Sequence, residues 1–316
     1  MDQTEVKGQT GNWEHALIRE LALGAITEQR RARRWSILFR SVAVIYVLVL
    51  SAFYLSSQWE EGSLSSETHT ALVDVDGVIG SDPQASADSV ITGLRAAFKN
   101  DKTKAVIMRI NSPGGSAVHA GYINDEMFRL RALHPNIPVY AVITDICASG
   151  GYYIAVAANK IYADKASLIG SIGVAMDGFG FVGTLERLGI ERRLHTAGTH
   201  KGFLDPFSPA NPEDAKHLQV VLDRVHQQFI DSVIKGRGDR LKSDPALFTG
   251  LVWSGEQSLN LGLIDAMGSS GFVAREVIGV ENIVDFTHRE HYFDRWAKQL
   301  GAAAAKVFMN PIPALR

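Results

Sequence analysis

Cysteine is almost missing from this 316-residue chain, where Cys147 stands alone. An intramolecular disulfide is therefore excluded, and so is a zinc site built on several thiolates. An excess of one charge is missing too: 32 Lys and Arg stand against 34 Asp and Glu, a net charge of -2. That balance gives no bulk electrostatic case for a nucleic-acid partner. No internal repeat is evident. What is there is a globular composition, 46% hydrophobic and 21% charged, enough for one large domain or two modest ones.

One stretch departs from that composition. Residues 36–57, SILFRSVAVIYVLVLSAFYLSS, hold a single charge, Arg40, near one end. The length matches a bilayer span, and a long side chain at the end can snorkel to the headgroups. Trp35, Tyr54 and Trp59 sit where interfacial aromatics belong. A secretory signal peptide fits less well, because a polar tail precedes the run and no small-x-small cleavage site follows. The arginines of QRRARR, residues 29–34, lie on one side, and Glu60, Glu61 and Glu67 on the other. The positive-inside rule then puts the N-terminus in the cytoplasm and the rest on the outer side. The expected organisation is a cytoplasmic tail (1–35), a single-pass anchor (36–57), a Ser/Glu-rich linker (58–69), a catalytic-type domain (70–286) and a C-terminal helical tail (287–316).

Beyond the linker, strand and helix signals alternate. Strands are expected at 71–79, 104–110 and 138–146, with a short one in NKIYA and another in ERRLHT, residues 191–196. Helices are expected at 86–100, 118–133, from Tyr152 onward and at 181–188. A long helix is expected from Pro212 to Lys235, capped by Asn211 and stopped by Gly236. Its apolar stripe is Ala215, Leu218, Leu222, Val225, Phe229 and Val233. The alternation implies an α/β fold with a parallel sheet and right-handed crossovers.

Two loops follow two consecutive strands, NSPGGS (111–116) and CASGGYY (147–153). Ligands collect beyond the C-terminal ends of parallel strands. Gly114 and Gly115 could therefore share a crevice with Ser149 and Gly150. A serine there suits a nucleophile with an oxyanion site, and equally a plain N-cap. The GxSxG elbow is absent, because position 147 is Cys. Cys147 reads as a buried, inert thiol. His195 and His200 are possible bases but have no recognisable Asp partner in the sequence. Lys201 is the other candidate, beside Phe203, Leu204 and Phe207; an apolar wall can strip its proton.

The blocks DGVI (76–79), NSPGGS, ASGGYYIA (148–155), IGSIGV (169–174), AGTHKGFLDPF (197–207), IKGRG (234–238) and SGEQSLNLGLID (254–265) follow one another in order. Together they resemble bacterial signal peptide peptidase A in its short, single-copy form. The resemblance implies a serine protease on a Clp protease/crotonase-like fold of repeated β-β-α units with a parallel sheet, preceded by one transmembrane helix. It implies Ser149 as nucleophile, Lys201 as general base and Ser171 as the lysine's hydrogen-bond partner. Gly150, with Gly114 or Gly115, would hold the oxyanion. It further implies signal peptides and other hydrophobic peptides as substrates, and a homo-oligomeric ring sharing the dyad between subunits. The expected place is the cytoplasmic membrane, with the protease domain on the outer, periplasmic side. No metal, nucleotide or other cofactor is implied. Two other readings stand beside it: a crotonase-like acyl-CoA enzyme, or a catalytically inactive membrane scaffold.

Overall fold

The structure, a computed structural model, describes residues 19, 29–31, 33–49, 51 and 67–289. The chain divides into two compact units, Met1–Leu64 and Ser65–Arg316. In the first, residues 33–49 are helical. Every large apolar side chain described there, from Trp35 to Val49, is more than half exposed. Among the described residues no helix is long and apolar enough to cross a membrane. The expected anchor extends past them, at residue 50 and from residue 52 on. The expected C-terminal helical tail lies outside them from residue 290.

The second unit is a mixed α/β fold around a largely parallel sheet. Strand β1 (His69–Asp76) leads through α1 (Ala87–Lys99) to β2 (Thr103–Ser112). Helix α2 (Ala117–Leu133) then leads to β3 (Val139–Ala148). Ser86 caps α1 by accepting from the Ser89 N–H, and Ser116 caps α2 by accepting from the His119 N–H. Alternation along the strands sorts the core. Val73, Val75, Met108 and Ile110 face the buried stripes of α1 and α2, which include Leu94, Ile123 and Met127. On the opposite face Leu72, Ile107 and Val142 pack with Val273 and Ala274.

Strand β3 has a divided edge. Its first half pairs with β4 (Lys160–Ala163), and its last three residues pair with β5 (Leu168–Gly170). Between β3 and β4 lies the short helix α3 (Gly150–Ala155). Helix α4 (Val182–Arg187) and helix α5 (Pro212–Arg237) follow β5. Strand β6 (Val252–Ser254) closes on β5 antiparallel and β8 (Ile283–Asp285) pairs with β1, giving the order β6-β5-β3-β2-β1-β8, while β7 (Ala266–Met267) pairs with β4 off that path.

Two expectations need correction. No strand forms at residues 191–196, which are exposed and irregular; the edge beside β5 is taken by β6. Gly236 does not stop α5, which runs on to Arg237 and ends at Gly238, with φ 53°. Gly236 instead admits the Val156 carbonyl, which a side chain there would strike. The expected stripe of α5 is filled only at its end: Phe229 and Val233 are buried, while Ala215 is exposed and Leu218, Leu222 and Val225 are half-buried.

Candidate active site

Ser149 stands at the joint between β3 and α3 with φ 51° and ψ -121°. A non-glycine residue in that region costs about 1–3 kcal/mol and persists only where its neighbours over-determine it. They do. The Ser149 N–H donates to the Gly170 carbonyl at 2.8 Å, and the Tyr153 N–H donates to the Ser149 carbonyl at 3.0 Å. The side chain makes no cap bond with α3. The N-cap reading therefore fails, and the hydroxyl is left facing a cavity.

That cavity, about 130 Å³, is lined by Gly115, Ser149, Gly150, Tyr153, Val174 and Phe229 among others. The NSPGGS loop reaches it from the end of β2, where Ser112 pairs with Cys147 after a bulge. The loop is zipped to Ile79: the Ile79 N–H donates to the Gly114 carbonyl at 2.8 Å, and the Ser116 N–H to the Ile79 carbonyl at 2.9 Å. The two glycines then divide their labour. The Gly114 N–H donates to the buried Ser112 Oγ at 3.2 Å. A Cβ on Gly114 would lie 2.7 Å from Ser149 Cβ, so this glycine lets the two loops touch. Gly115 has φ 143°, and a Cβ there would run into the Ile79 backbone. Its N–H has no partner among the described residues. The Gly150 N–H is the first of α3 and has no intrahelical partner. A Cβ on Gly150 would lie 3.5 Å from the Gly115 nitrogen. Two open amides thus border one serine hydroxyl, the arrangement an oxyanion needs.

Other expected residues lie elsewhere. Ser171, with φ 50°, is half-buried and donates its N–H to the Leu251 carbonyl at 2.7 Å. It does not line the Ser149 cavity, although Gly173 and Val174 do. Lys201 is exposed, in a run of turns, and does not line that cavity either. His195 is exposed. Cys147 is fully buried, and burial pushes its thiol up, away from the reactive thiolate.

One partner escaped the sequence. His200 Nδ1 lies 2.6 Å from Asp214 Oδ1, so His200 does have a carboxylate. Asp214 belongs to the first turn of α5, where an acid is expected for the helix dipole alone; no spacing tied it to residue 200. Nearby, Asp205 is held below the usual carboxylate range by the Ser208 hydroxyl first, then the Phe207 N–H and Arg192.

The fold and the site define a protein with a strained nucleophile-type turn beyond the strand ends of a parallel sheet. Residues 131–279 match peptidase family S49. The chain is 31% identical over 205 residues to a Synechocystis sp. protein provisionally named as a protease, covering 65% of this chain and 72% of that one. It is 30% identical over 229 residues to an Enterococcus faecium protein provisionally named signal peptide peptidase SppA, covering 69% of this chain and 66% of that one. It is also 41% identical over 197 residues to a Na(+)/H(+) antiporter NhaA of Brucella melitensis, covering 62% of this chain but only 27% of that protein's length. The chain belongs to peptidase family S49.

Proposed function

We propose that this chain is a serine endopeptidase in which Ser149 is the nucleophile and Lys201 the general base. The observation that carries the reading is the Ser149 turn: an uncapped hydroxyl at φ 51°, beside the open amides of Gly115 and Gly150. In this mechanism the neutral Lys201 amine takes the Ser149 proton as Oγ bonds to the scissile carbonyl. The developing oxyanion receives the Gly115 and Gly150 N–H groups. The C–N bond breaks, Lys201 returns the proton to the leaving amine, and water repeats the cycle on the acyl-enzyme. Ser171 would hydrogen-bond the lysine, and Gly114 would keep the two loops in contact. We read the fold as related to the Clp protease and crotonase folds.

The exposure of Lys201, and its absence from the lining of the Ser149 cavity, support a site shared between copies. Lys201 of one subunit would complete Ser149 of the next in a homo-oligomeric ring. The substrates would be cleaved signal peptides and other hydrophobic peptides, a reading supported by the relative named signal peptide peptidase SppA. A cavity of about 130 Å³ suits a small aliphatic side chain next to the scissile bond. The apolar stretch at 36–57, with its exposed described side chains and flanking arginines, supports a membrane anchor holding the protease domain outside the cytoplasm.

The test is complementation. Ser149→Ala and Lys201→Ala chains, each inactive alone, are co-expressed with different tags and assayed on a fluorogenic peptide. Shared sites regain part of the activity in mixed assemblies. A dead mixture of confirmed mixed assemblies sinks the shared site, and full activity of Lys201→Ala alone sinks the dyad.

A further inference from the structure

The segment bearing Lys201 has few ties to the sheet, and the way it is held points to a function for its neighbours. The Lys201 N–H donates to the Gly198 carbonyl at 3.1 Å, and the Phe203 N–H to the His200 carbonyl at 3.0 Å. These turns fix the local shape of the loop but do not fix it to anything else. Two side chains flanking the lysine do that. His200 Nδ1 meets Asp214 Oδ1 at 2.6 Å. The Phe203 ring lies edge-on to His217, with centroids 6.1 Å apart. Asp214 and His217 are three residues apart, hence neighbours on one face of α5. Residues 200 and 203 therefore grip that face, with Lys201 between them and exposed.

The two halves of the His200 contact differ. The Asp214 side chain is 13% exposed and sits in the first turn of a 26-residue helix, whose N-terminal dipole favours its charge. The His200 side chain is 59% exposed and belongs to the loop. The helix supplies the regular, less exposed half of the contact, and the loop is what is fastened to it. Farther along, Asp205 pairs with Arg192 at 3.2 Å, and Phe207 stacks on Phe181 at 5.5 Å. That second brace ties the loop to the chain around α4, not to α5.

We propose that His200 and Asp214 form a positioning clip that holds the Lys201 turn on α5 and so sets where the lysine amine is presented to Ser149. The clip rests on the Ser149–Lys201 reading above. His200 does not touch substrate; it acts through Lys201. Displacing a reacting group by about 1 Å costs on the order of 100-fold in rate. Loss of the clip should therefore slow acyl transfer and leave peptide binding unchanged.

The test uses the full chain and three variants, His200→Ala, Asp214→Ala and Asp214→Asn, with Lys201→Ala as the marker of the dyad. A fluorophosphonate probe titrates reactive Ser149, so poor folding shows as fewer sites and not as slower ones. Per titrated site, His200→Ala and Asp214→Ala should each lose roughly 10- to 100-fold in kcat, with KM within about twofold of the parent. A fourth variant combining His200→Ala with Asp214→Ala should be no slower than either single one, because both remove the same contact. Asp214→Asn keeps an acceptor oxygen and should retain most of the rate. The pH–rate inflection should survive in His200→Ala, since the base is still Lys201. Unchanged kcat per site in both alanine variants would overturn the clip while leaving the dyad standing. Loss of the inflection in His200→Ala, with an active Lys201→Ala, would make His200 the base itself and overturn both. A fall in Asp214→Asn equal to that in Asp214→Ala would overturn a hydrogen-bonded clip.

Discussion

Around Ser149 the chain is tied to the sheet on every side: to Gly170 through its own N–H, and through the neighbouring glycine loop to Ile79 and Ser112. Around Lys201 the chain is tied to its own turns and to the exposed half of α5. Hydrophobic side chains repeat the contrast. Cys147, Ala148 and Tyr152, beside the serine, are buried, whereas Phe179, Leu188, Ile190 and Leu204, in the lysine's segment, are 45–78% exposed. A nucleophile held in a strained conformation needs an unyielding frame, because the strain relaxes wherever the frame gives. If Lys201 is brought to Ser149 from another surface, as proposed, it needs the opposite: a platform that keeps its own shape and leaves apolar area for that surface to cover.

The comparison can be broken at four points. The largest effect belongs to Ser149, the proposed nucleophile. Ser149→Ala should lower kcat by at least about 10⁴-fold, while Cys147→Ala and thiol alkylation of the folded protein should leave most activity, because the thiol is fully buried. Peptide hydrolysis by the three samples checks this, and a thiol-dependent enzyme would move the chemistry off the Ser149 turn. Next comes the lock at the end of the frame. Burial raises the Asp265 carboxyl, but the Arg237 guanidinium outweighs it and holds the group below the usual range. Arg237 is 1% exposed in its side chain and also donates to the Gly262 carbonyl. Asp265→Ala strands that charge, and urea unfolding should show a loss of about 3–5 kcal/mol.

Gly115→Ala should come third. It strikes the Ile79 backbone at the amide proposed for the oxyanion. A loss of one such donor costs about 10²–10³ in kcat, so this variant should bind peptide and turn it over slowly. Equal kcat would show that the amide is not used. The smallest effect lies away from both regions. Glu126, bonded first by Arg129 and then by Arg95, is lowered to about 2. A depressed carboxyl contributes stability that is complete above the ordinary carboxylate range and is lost as pH falls toward that lower value. Its arginines are half exposed, so screening leaves about 1 kcal/mol. Glu126→Gln should cost that much at pH 7 and nothing near pH 2, read by thermal unfolding across pH.

Much of the frame was legible in the residues because its signals are local. Apolar runs marked β1, β2 and β3, and Asn211 followed by Pro212 marked the start of α5. The pairing of the NSPGGS loop with the Ser149 turn followed from adjacent parallel strands. What was not legible depends on contacts between distant segments. Ser112 decides which glycine amide stays open, and nothing in Pro-Gly-Gly says so. Gly236 looked like a helix stop because glycine usually is one; its use as a gap for the Val156 carbonyl needs the packed structure. The apolar stripe of α5 was legible from periodicity, but periodicity reports only that a face is apolar, not how much of it the fold covers.

Helix α5 joins these two worlds with one rigid element. Its last turns are wedged into the frame by Gly236 and Arg237, and its first turn holds Asp214. At 1.5 Å per residue, the 22 steps between Gly236 and Asp214 span about 33 Å. It is a lever with a buried fulcrum, and a few degrees of tilt at the pivot become a displacement of an ångström or more at the lysine's end. On the proposed dyad, residues that never approach the peptide, Val156 and Gly236 among them, would bear on turnover. Directed evolution of this protein for rate would find gains at that fulcrum as well as at the cleft.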